Sequence, residues 1–173
     1  AGTGVAITFG IQTAAGTYTV VATNATTTCT STMTGSVAVT INPLPSVFSV
    51  TGGGLFCSGG TGVVVGLSGS QSGVNYQLQL NSVNSGTPVA GSGSSITFGS
   101  KTAAGTYTVV ATSTAGCTSN MTGSAVVTVI PRPTSVVSGT TSICIGLSTS
   151  IQAALTGTGP WNVTWSDGFV QNG

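Results

Sequence analysis

Charge is almost missing from this chain. Its 173 residues hold two basic side chains, Lys101 and Arg132, a single acid, Asp167, and no histidine. Ordinary globular domains carry charge on about a quarter of their residues, so this surface must be made of Ser, Thr, Asn, Gln and Gly. The absences exclude whole classes of function. A surface without basic clusters cannot neutralise phosphates, so nucleic acid is not expected as a partner, nor is anionic lipid. General acid–base catalysis needs histidine, paired carboxylates or a tuned lysine, and a serine nucleophile needs a base in reach. No catalytic residue is assigned, and no enzyme is expected. One aspartate is not a calcium site, which draws on several oxygen ligands. The four cysteines (Cys29, Cys57, Cys117 and Cys144) lack C-x-x-C spacing and histidine companions, a poor set for zinc. Neither metal nor cofactor is expected. There is also no run of about 18 apolar residues, so no membrane insertion is expected. No signal peptide is expected either, because residue 1 already lies within a repeat. A net charge of +1 removes the repulsion that keeps proteins apart, which makes the chain itself a candidate partner.

Apolar residues, by contrast, make up 39% of the sequence, and Val, Ile, Tyr and Phe alternate with Thr in short runs. Thr is β-branched and suits a pleated surface, so the chain reads as ordered β protein rather than as a Gly/Ser/Thr-rich linker. Its clearest internal signal is a repeat. T-A-A-G-T-Y-T-V-V-A-T runs from Thr13 to Thr23 and again, letter for letter, from Thr102 to Thr112, an offset of 89 residues. Each copy is preceded by I-T-F-G (Ile7 to Gly10, Ile96 to Gly99) and followed by a cysteine (Cys29, Cys117). M-T-G-S comes next (Met33 to Ser36, Met121 to Ser124), and then a P-x-P exit (Pro43 and Pro45, Pro131 and Pro133). A period near 90 is too long for a solenoid turn and fits a whole β-sandwich domain. The expected fold is therefore all-β: tandem Ig-like β-sandwich domains with no helices.

Residues 1–45 read as the C-terminal part of one repeat. Ala6 to Phe9 predicts a short strand. Gly16 to Thr23 predicts a longer one with Tyr18, Val20 and Ala22 on one face, and Ser36 to Ile41 a closing strand with Val37, Val39 and Ile41 inward. Asn42-Pro43-Leu44-Pro45 makes a stiff, extended hinge. Residues 46–133 read as one complete repeat with strands near Val47–Val50, Val63–Leu67, Val74–Leu80, Pro88–Ala90, Ile96–Phe98, Thr106–Ala111 and Ala125–Ile130, about the seven of an Ig-like sandwich. On the third of these, Val74, Tyr76, Leu78 and Leu80 should face the core, and Asn75, Gln77 and Gln79 water. Gly52-Gly53-Gly54 and Gly59-Gly60 read as turns or bulges. Residues 134–173 read as the N-terminal part of a further Ig-like or PKD-like repeat, in which Trp161, Val163 and Trp165 alternate and at least one Trp should be a core residue.

Candidate sites are structural. Cys57 precedes the second strand of the complete repeat and Cys117 follows the strand holding Tyr107, so a disulfide between them is expected, stabilising by about 4 kcal/mol through loop closure. Free buried thiols and a metal site are the rival readings. Cys29 and Cys144 find partners outside these residues or in a neighbouring chain. Disulfides imply an oxidising, extracytoplasmic setting. Tyr18 and Tyr107, in A-G-T-Y-T-V, read as tyrosine corners in preference to sugar-stacking aromatics. Trp161 and Trp165 are core residues or, alternatively, a carbohydrate platform, and Asp167-Gly168 is a tight turn. The glycosylation sequons at Asn24, Asn120 and Asn162 are weak signals in a chain so rich in Asn and Thr.

At F-C-S-G-G (Phe56 to Gly60), G-V-N-Y-Q-L (Gly73 to Leu78), the duplicated block and G-P-W-N-V-T-W-S-D-G (Gly159 to Gly168), the chain resembles the Ig-like and PKD-like repeats of large secreted cell-surface proteins of Bacteroidetes-type bacteria, gliding and attachment adhesins among them. The resemblance covers nearly the whole chain. It implies an extracellular, cell-surface structural segment of a filament or giant adhesin, with its own repeats and surface glycans as partners. The alternative is a spacer or carbohydrate-binding module attached to a secreted enzyme. Two readings of the chain ends follow. Neighbouring chains complete each other's domains head to tail, as in strand donation, with Cys29 bonded to Cys144. Or the residues are part of one continuous, far longer polypeptide, which the mismatch between the two end subtypes favours.

Overall fold

In the computed structural model, which describes residues 4–139 and 141–172, every regular element is a β-strand. Ahead of the first Pro pair lie β1 (Gly16–Tyr18), β2 (Val21–Thr23), β3 (Thr30–Thr32) and β4 (Val37–Val39). The middle of the chain forms β5 (Val50–Gly52), β6 (Gly54–Cys57), β7 (Val63–Leu67), β8 (Val74–Leu80), β9 (Val83–Asn84), β10 (Val89–Ala90), β11 (Ile96–Lys101), β12 (Gly105–Ser113), β13 (Thr118–Asn120) and β14 (Ala125–Ile130). Beyond the second Pro pair come β15 (Thr134–Gly139), β16 (Ile151–Thr156), β17 (Asn162–Thr164) and β18 (Val170–Asn172).

The ten middle strands build a two-sheet sandwich. One sheet has the order β11-β7-β5; the other has the order β10-β8-β12-β14-β6, with β9 on β8 and β13 on β12. All pairs are antiparallel except β14 with β6, which is parallel. Strand β12 is held on both edges: β8 runs along one from Tyr107 to Ser113, while β14 and then β13 take the other. Alternation decides what lies between the sheets. From β8, Val74, Tyr76 and Leu78 are buried; from β12, Tyr107, Val109 and Ala111; from β7, Val65 and Leu67. Burying a large apolar side chain of this kind contributes about 1.5–3 kcal/mol. Every member of this buried core falls between Val65 and Val127. Leu80 is half-buried at the rim. Gln77 and Gln79 are half-buried too, rather than fully in water, because their amides bond the Leu78 and Gly86 carbonyls and the Asn84 side chain.

The predicted spans of β7, β8 and β14 coincide with those observed. The first strand differs. The ladder with β7 starts at Val50; before it Phe48 and Ser49 run beside Thr122, with the Thr122 amide donating to the Phe48 carbonyl at 2.9 Å, while the Ser49 carbonyl accepts from the Ser68 amide at 3.0 Å. Only Val50 to Gly52 join β7, and the chain then crosses to the other sheet as β6. The glycine run is thus a strand-to-strand crossing, and Gly54 opens a strand that the sequence pattern did not suggest. Gly52 and Gly53 make the crossing at φ of 90° and 83°. A Cβ on Gly52 would stand 2.0 Å from the Val64 carbonyl oxygen, and one on Gly53 2.7 Å from that of Val126.

Outside the sandwich the same letters fold only partly. Gly16 to Thr23 repeats Gly105 to Thr112 residue for residue but forms two three-residue strands instead of one continuous strand. Ile7 to Gly10 repeats the start of β11 and forms no strand, and the expected closing strand is reduced to Val37–Val39. Val37 and Ile41, expected inward, are 67% and 66% exposed, because no second sheet among the described residues lies over them.

Gly52→Ala should destabilise the sandwich by about 2–4 kcal/mol, since it combines a left-handed φ with a backbone collision. Denaturant unfolding of this variant beside Gly73→Ala checks the point. Gly73 shares a positive φ but has open space around its Cβ position, so its cost should be smaller.

Candidate functional site

Among the described residues no three His, Cys, Asp or Glu side chains gather as a metal cluster. Lys101 ends β11, Arg132 follows β14 and Asp167 sits in the turn between β17 and β18. The Asp167 carboxylate accepts from the Phe169 amide at 3.0 Å, and Gly168 completes that turn at a φ of 88°. Lys101 and Arg132 both border the stretch from Gly59 to Val63, and Asp167 lies among the C-terminal strands.

The most elaborate polar cluster is made of serine hydroxyls. Ser70, only 4% exposed, donates to the Ser94 carbonyl at 2.6 Å and accepts from the Ser92 amide at 3.0 Å. Beside it the Tyr76 hydroxyl accepts from the Gln71 amide at 2.8 Å. No base stands near Ser70 to activate it, and its hydrogen bonds tie the β7–β8 connection to the loop between β10 and β11. The arrangement satisfies buried polar atoms, as a sandwich of this composition requires, and no buried side-chain N or O atom among the described residues lacks a partner.

Tyr18 and Tyr107 occupy equivalent places. The Tyr107 hydroxyl donates to the Ala103 carbonyl at 3.0 Å and that of Tyr18 to the Ala14 carbonyl at 3.0 Å. Both bonds reach back four residues and pin the chain as it enters the strand, the geometry of a tyrosine corner. Their burial differs: Tyr107 is 1% exposed, whereas Tyr18 is half-buried. Burial pushes the Tyr107 phenol above its ordinary value of 10.0.

The cysteines correct an expectation. No disulfide joins any two of them among the described residues. Cys57 pairs with Ile130 at one pole of the sheet, beyond the Gly105 end of β12, because β14 reaches Gly105 already at Val127. Cys117 lies past the other end, where its carbonyl accepts from the Ser113 amide at 2.9 Å. The eight residue steps from Gly105 to Ser113 alone span about 26 Å, and a disulfide needs Cα atoms within about 7 Å. Cys57 and Cys117 therefore cannot bond in this fold. The two sheets are joined where an inter-sheet disulfide could stand by apolar contact, with Val65 and Leu67 of β7 in one core with Tyr107 and Val109 of β12.

Trp161, Val163 and Trp165 are half-buried on one face of β17, opposite Ile151, Ala153 and Leu155 of β16. They line an open groove edged by Gln152 and Gln171. Neither Trp is enclosed, so the expected core Trp is a wall of a cleft here. A second groove lies at the Cys117 pole, where Asn42 to Pro45 cross the ends of β8 and β12. Pro45 is buried there, the Ser46 amide donates to the Gln71 side chain and the Cys117 thiol lies 3.8 Å from the Asn42 carbonyl. The linker expected as a stiff, extended hinge is seated on the sandwich. No signal in the sequence marked Gln71 as its anchor, because the contact spans 25 residues. Searches of protein-family models and of curated proteins find no match to this chain.

Two outcomes test this account. Alkylation of native, non-reduced protein followed by peptide mass spectrometry should find no Cys57–Cys117 peptide. Because Tyr107 is raised by burial, the unfolded chain loses that proton first. Its contribution is complete below pH 10 and is lost as pH rises through the folded-state value. Tyr107→Phe should flatten that alkaline decline in unfolding midpoints and cost about 0.5–1.5 kcal/mol at neutral pH, for the lost bond to Ala103.

Proposed function

We propose that this chain is a non-catalytic structural segment of an extracellular filament or large cell-surface adhesin, built from Ig-like repeats. The observation that carries the reading is the repeat itself. The duplicated blocks share a pairing where they enter the strand: Gly16 to Tyr18 meet Val39 to Val37 as Gly105 to Tyr107 meet Val127 to Ala125. The middle sandwich supports the Ig-like assignment through its strand order, in which the first strand divides between both sheets and ends parallel to the last, with a tyrosine corner entering β12. A surface of hydroxyls and amides, held by sheet hydrogen bonds and an apolar core, suits a fibre exposed to changing pH and salt. Without a Cys57–Cys117 bond the cysteines lend no weight to an oxidising compartment; the extracellular placement rests on the repeat resemblance and the uncharged surface.

The alternative, a spacer or carbohydrate-binding module beside a secreted enzyme, draws on Trp161 and Trp165, which flank β17 and line one groove with Val163 between them. Their groove shares its walls with Ile151, Ala153 and Leu155, side chains that a sugar platform does not call for, and this favours the structural reading.

With one acid, two basic residues and no histidine, folding has little to couple to protons or salt. Unfolding free energies between pH 4 and 9, and from low salt to 1 M NaCl, should therefore agree within about 1 kcal/mol. A steep loss of order inside that range would count against the proposal, and saturable binding of a soluble polysaccharide that Trp161→Ala abolishes would favour the alternative.

A further inference from the structure

Every residue of the two linkers, Asn42-Pro43-Leu44-Pro45 and Pro131-Arg132-Pro133, is a proline or precedes one. Each proline has its φ locked near about −65°, and each residue before a proline is pushed into extended backbone. Little other chain is left to bend. Only Thr40 and Ile41 separate Asn42 from Val39, the last paired residue of β4. In the second linker Ile130 still pairs with Cys57 and Thr134 already pairs with Thr156, so its Pro-Arg-Pro stands alone between two ladders.

The first linker is also fastened to the sandwich after it. The Asn42 carbonyl lies 3.8 Å from the Cys117 thiol, Pro45 is buried, and the Ser46 amide donates to the Gln71 side-chain carbonyl. Beyond Ser46 the attachment runs on into β5, through Phe48 and Val50 on Thr122 and Ser49 on Ser68. The anchor is itself tied to the core. The Gln71 amide donates to the hydroxyl of Tyr76, a residue with no exposed surface, at 2.8 Å, and the Gln71 carbonyl accepts from the Val74 amide at 3.3 Å. Gly91 closes that turn from its other side: a Cβ there would stand 1.9 Å from the Gln71 carbonyl oxygen. The second linker lies on the strands after it in the same sense, with the Pro133 Cα 3.6 Å from where Gly157 would carry a Cβ.

We propose that residues 42–46 are a strap of the sandwich that follows them, with Gln71 as the positioning residue that holds the strap, and that the junction between repeats is a fixed joint. The one hydrogen bond from Ser46 to Gln71 connects a backbone that proline has already stiffened to a turn that the core has already immobilised, so holding the strap costs little further entropy. The direction in which one repeat ends is thereby handed to the next, and Thr40 and Ile41 are the two residues left to absorb a bend. Such a joint works in the same way wherever the protein resides.

The test is 15N relaxation on the whole 173-residue chain, read at Asn42, Leu44 and Ser46, the strap residues that carry an amide proton. Their order parameters should match those of β8 and β12, at about 0.85, where a free linker would give values below about 0.6. Gln71→Leu keeps the bulk of the side chain and removes the acceptor. It should drop Leu44 and Ser46 towards the free value and speed exchange of the Ser46 amide by about three- to tenfold, the loss of one hydrogen bond, while β8 and β12 keep their values. Gln71→Glu retains an acceptor oxygen and should behave as the parent does. Low order parameters at Leu44 and Ser46 in the parent chain overturn the proposal, and that measurement decides it even where a variant fails to fold. A strap that stays rigid in Gln71→Leu, or loosens equally in Gln71→Glu, overturns it as well.

Discussion

The pairing of β8 with β12 is the interaction on which the rest of the structure depends. It runs along seven consecutive residue pairs, from Tyr107 with Leu80 to Ser113 with Val74. It gives β12 a second hydrogen-bonded edge and lays Tyr76 and Leu78 beside Val109 and Ala111 over β7. Where that edge is supplied, G-T-Y-T-V-V-A-T is one continuous strand with Tyr, Val and Ala sealed inside. Where it is not, the same eight letters break after Tyr18, and Ala22 is left exposed. Local propensity is identical in the two copies, so the difference belongs entirely to tertiary pairing.

This contrast explains how much was legible in the sequence. Strands β7, β8 and β14 could be read because their partners lie on both sides and each is an unbroken run rich in Val and other strand-forming residues. Strand β6 could not. Gly52 to Gly54 look like a turn, and only the parallel edge of β14 turns the last of them into strand. The first strand was placed too early for a related reason: Val47 and Phe48 are apolar enough, but the Phe48 carbonyl and the Val50 amide are taken by Thr122, far along the chain, and Ser49 bonds Ser68 just past the end of β7.

The candidate residues divide along the same line. The tyrosine corners were readable because each bond is local, reaching four residues back. The disulfide was not, because its plausibility rested on the order of Cys57 and Cys117 along the chain, and order does not say at which pole of a sheet a residue ends. Trp161 and Trp165 show the converse. Their alternation was read correctly, yet a buried position needs a second wall, and β16 provides only part of one. A chain with so few charges places all of its specificity in register and shape, and most of that information is non-local.

The parallel contact between β6 and β14 also has a mechanical meaning. Because the first and last strands of the sandwich run side by side in the same direction, a pull on the two chain ends drags them past each other lengthwise. The load then falls on the whole row of hydrogen bonds between Gly54–Cys57 and Val127–Ile130 at once, rather than peeling them apart one after another. A hairpin whose ends emerge together would unzip under the same tension. The crossing at Gly52 and Gly53, which sends the chain from one sheet to the other, is what puts this sandwich in shear.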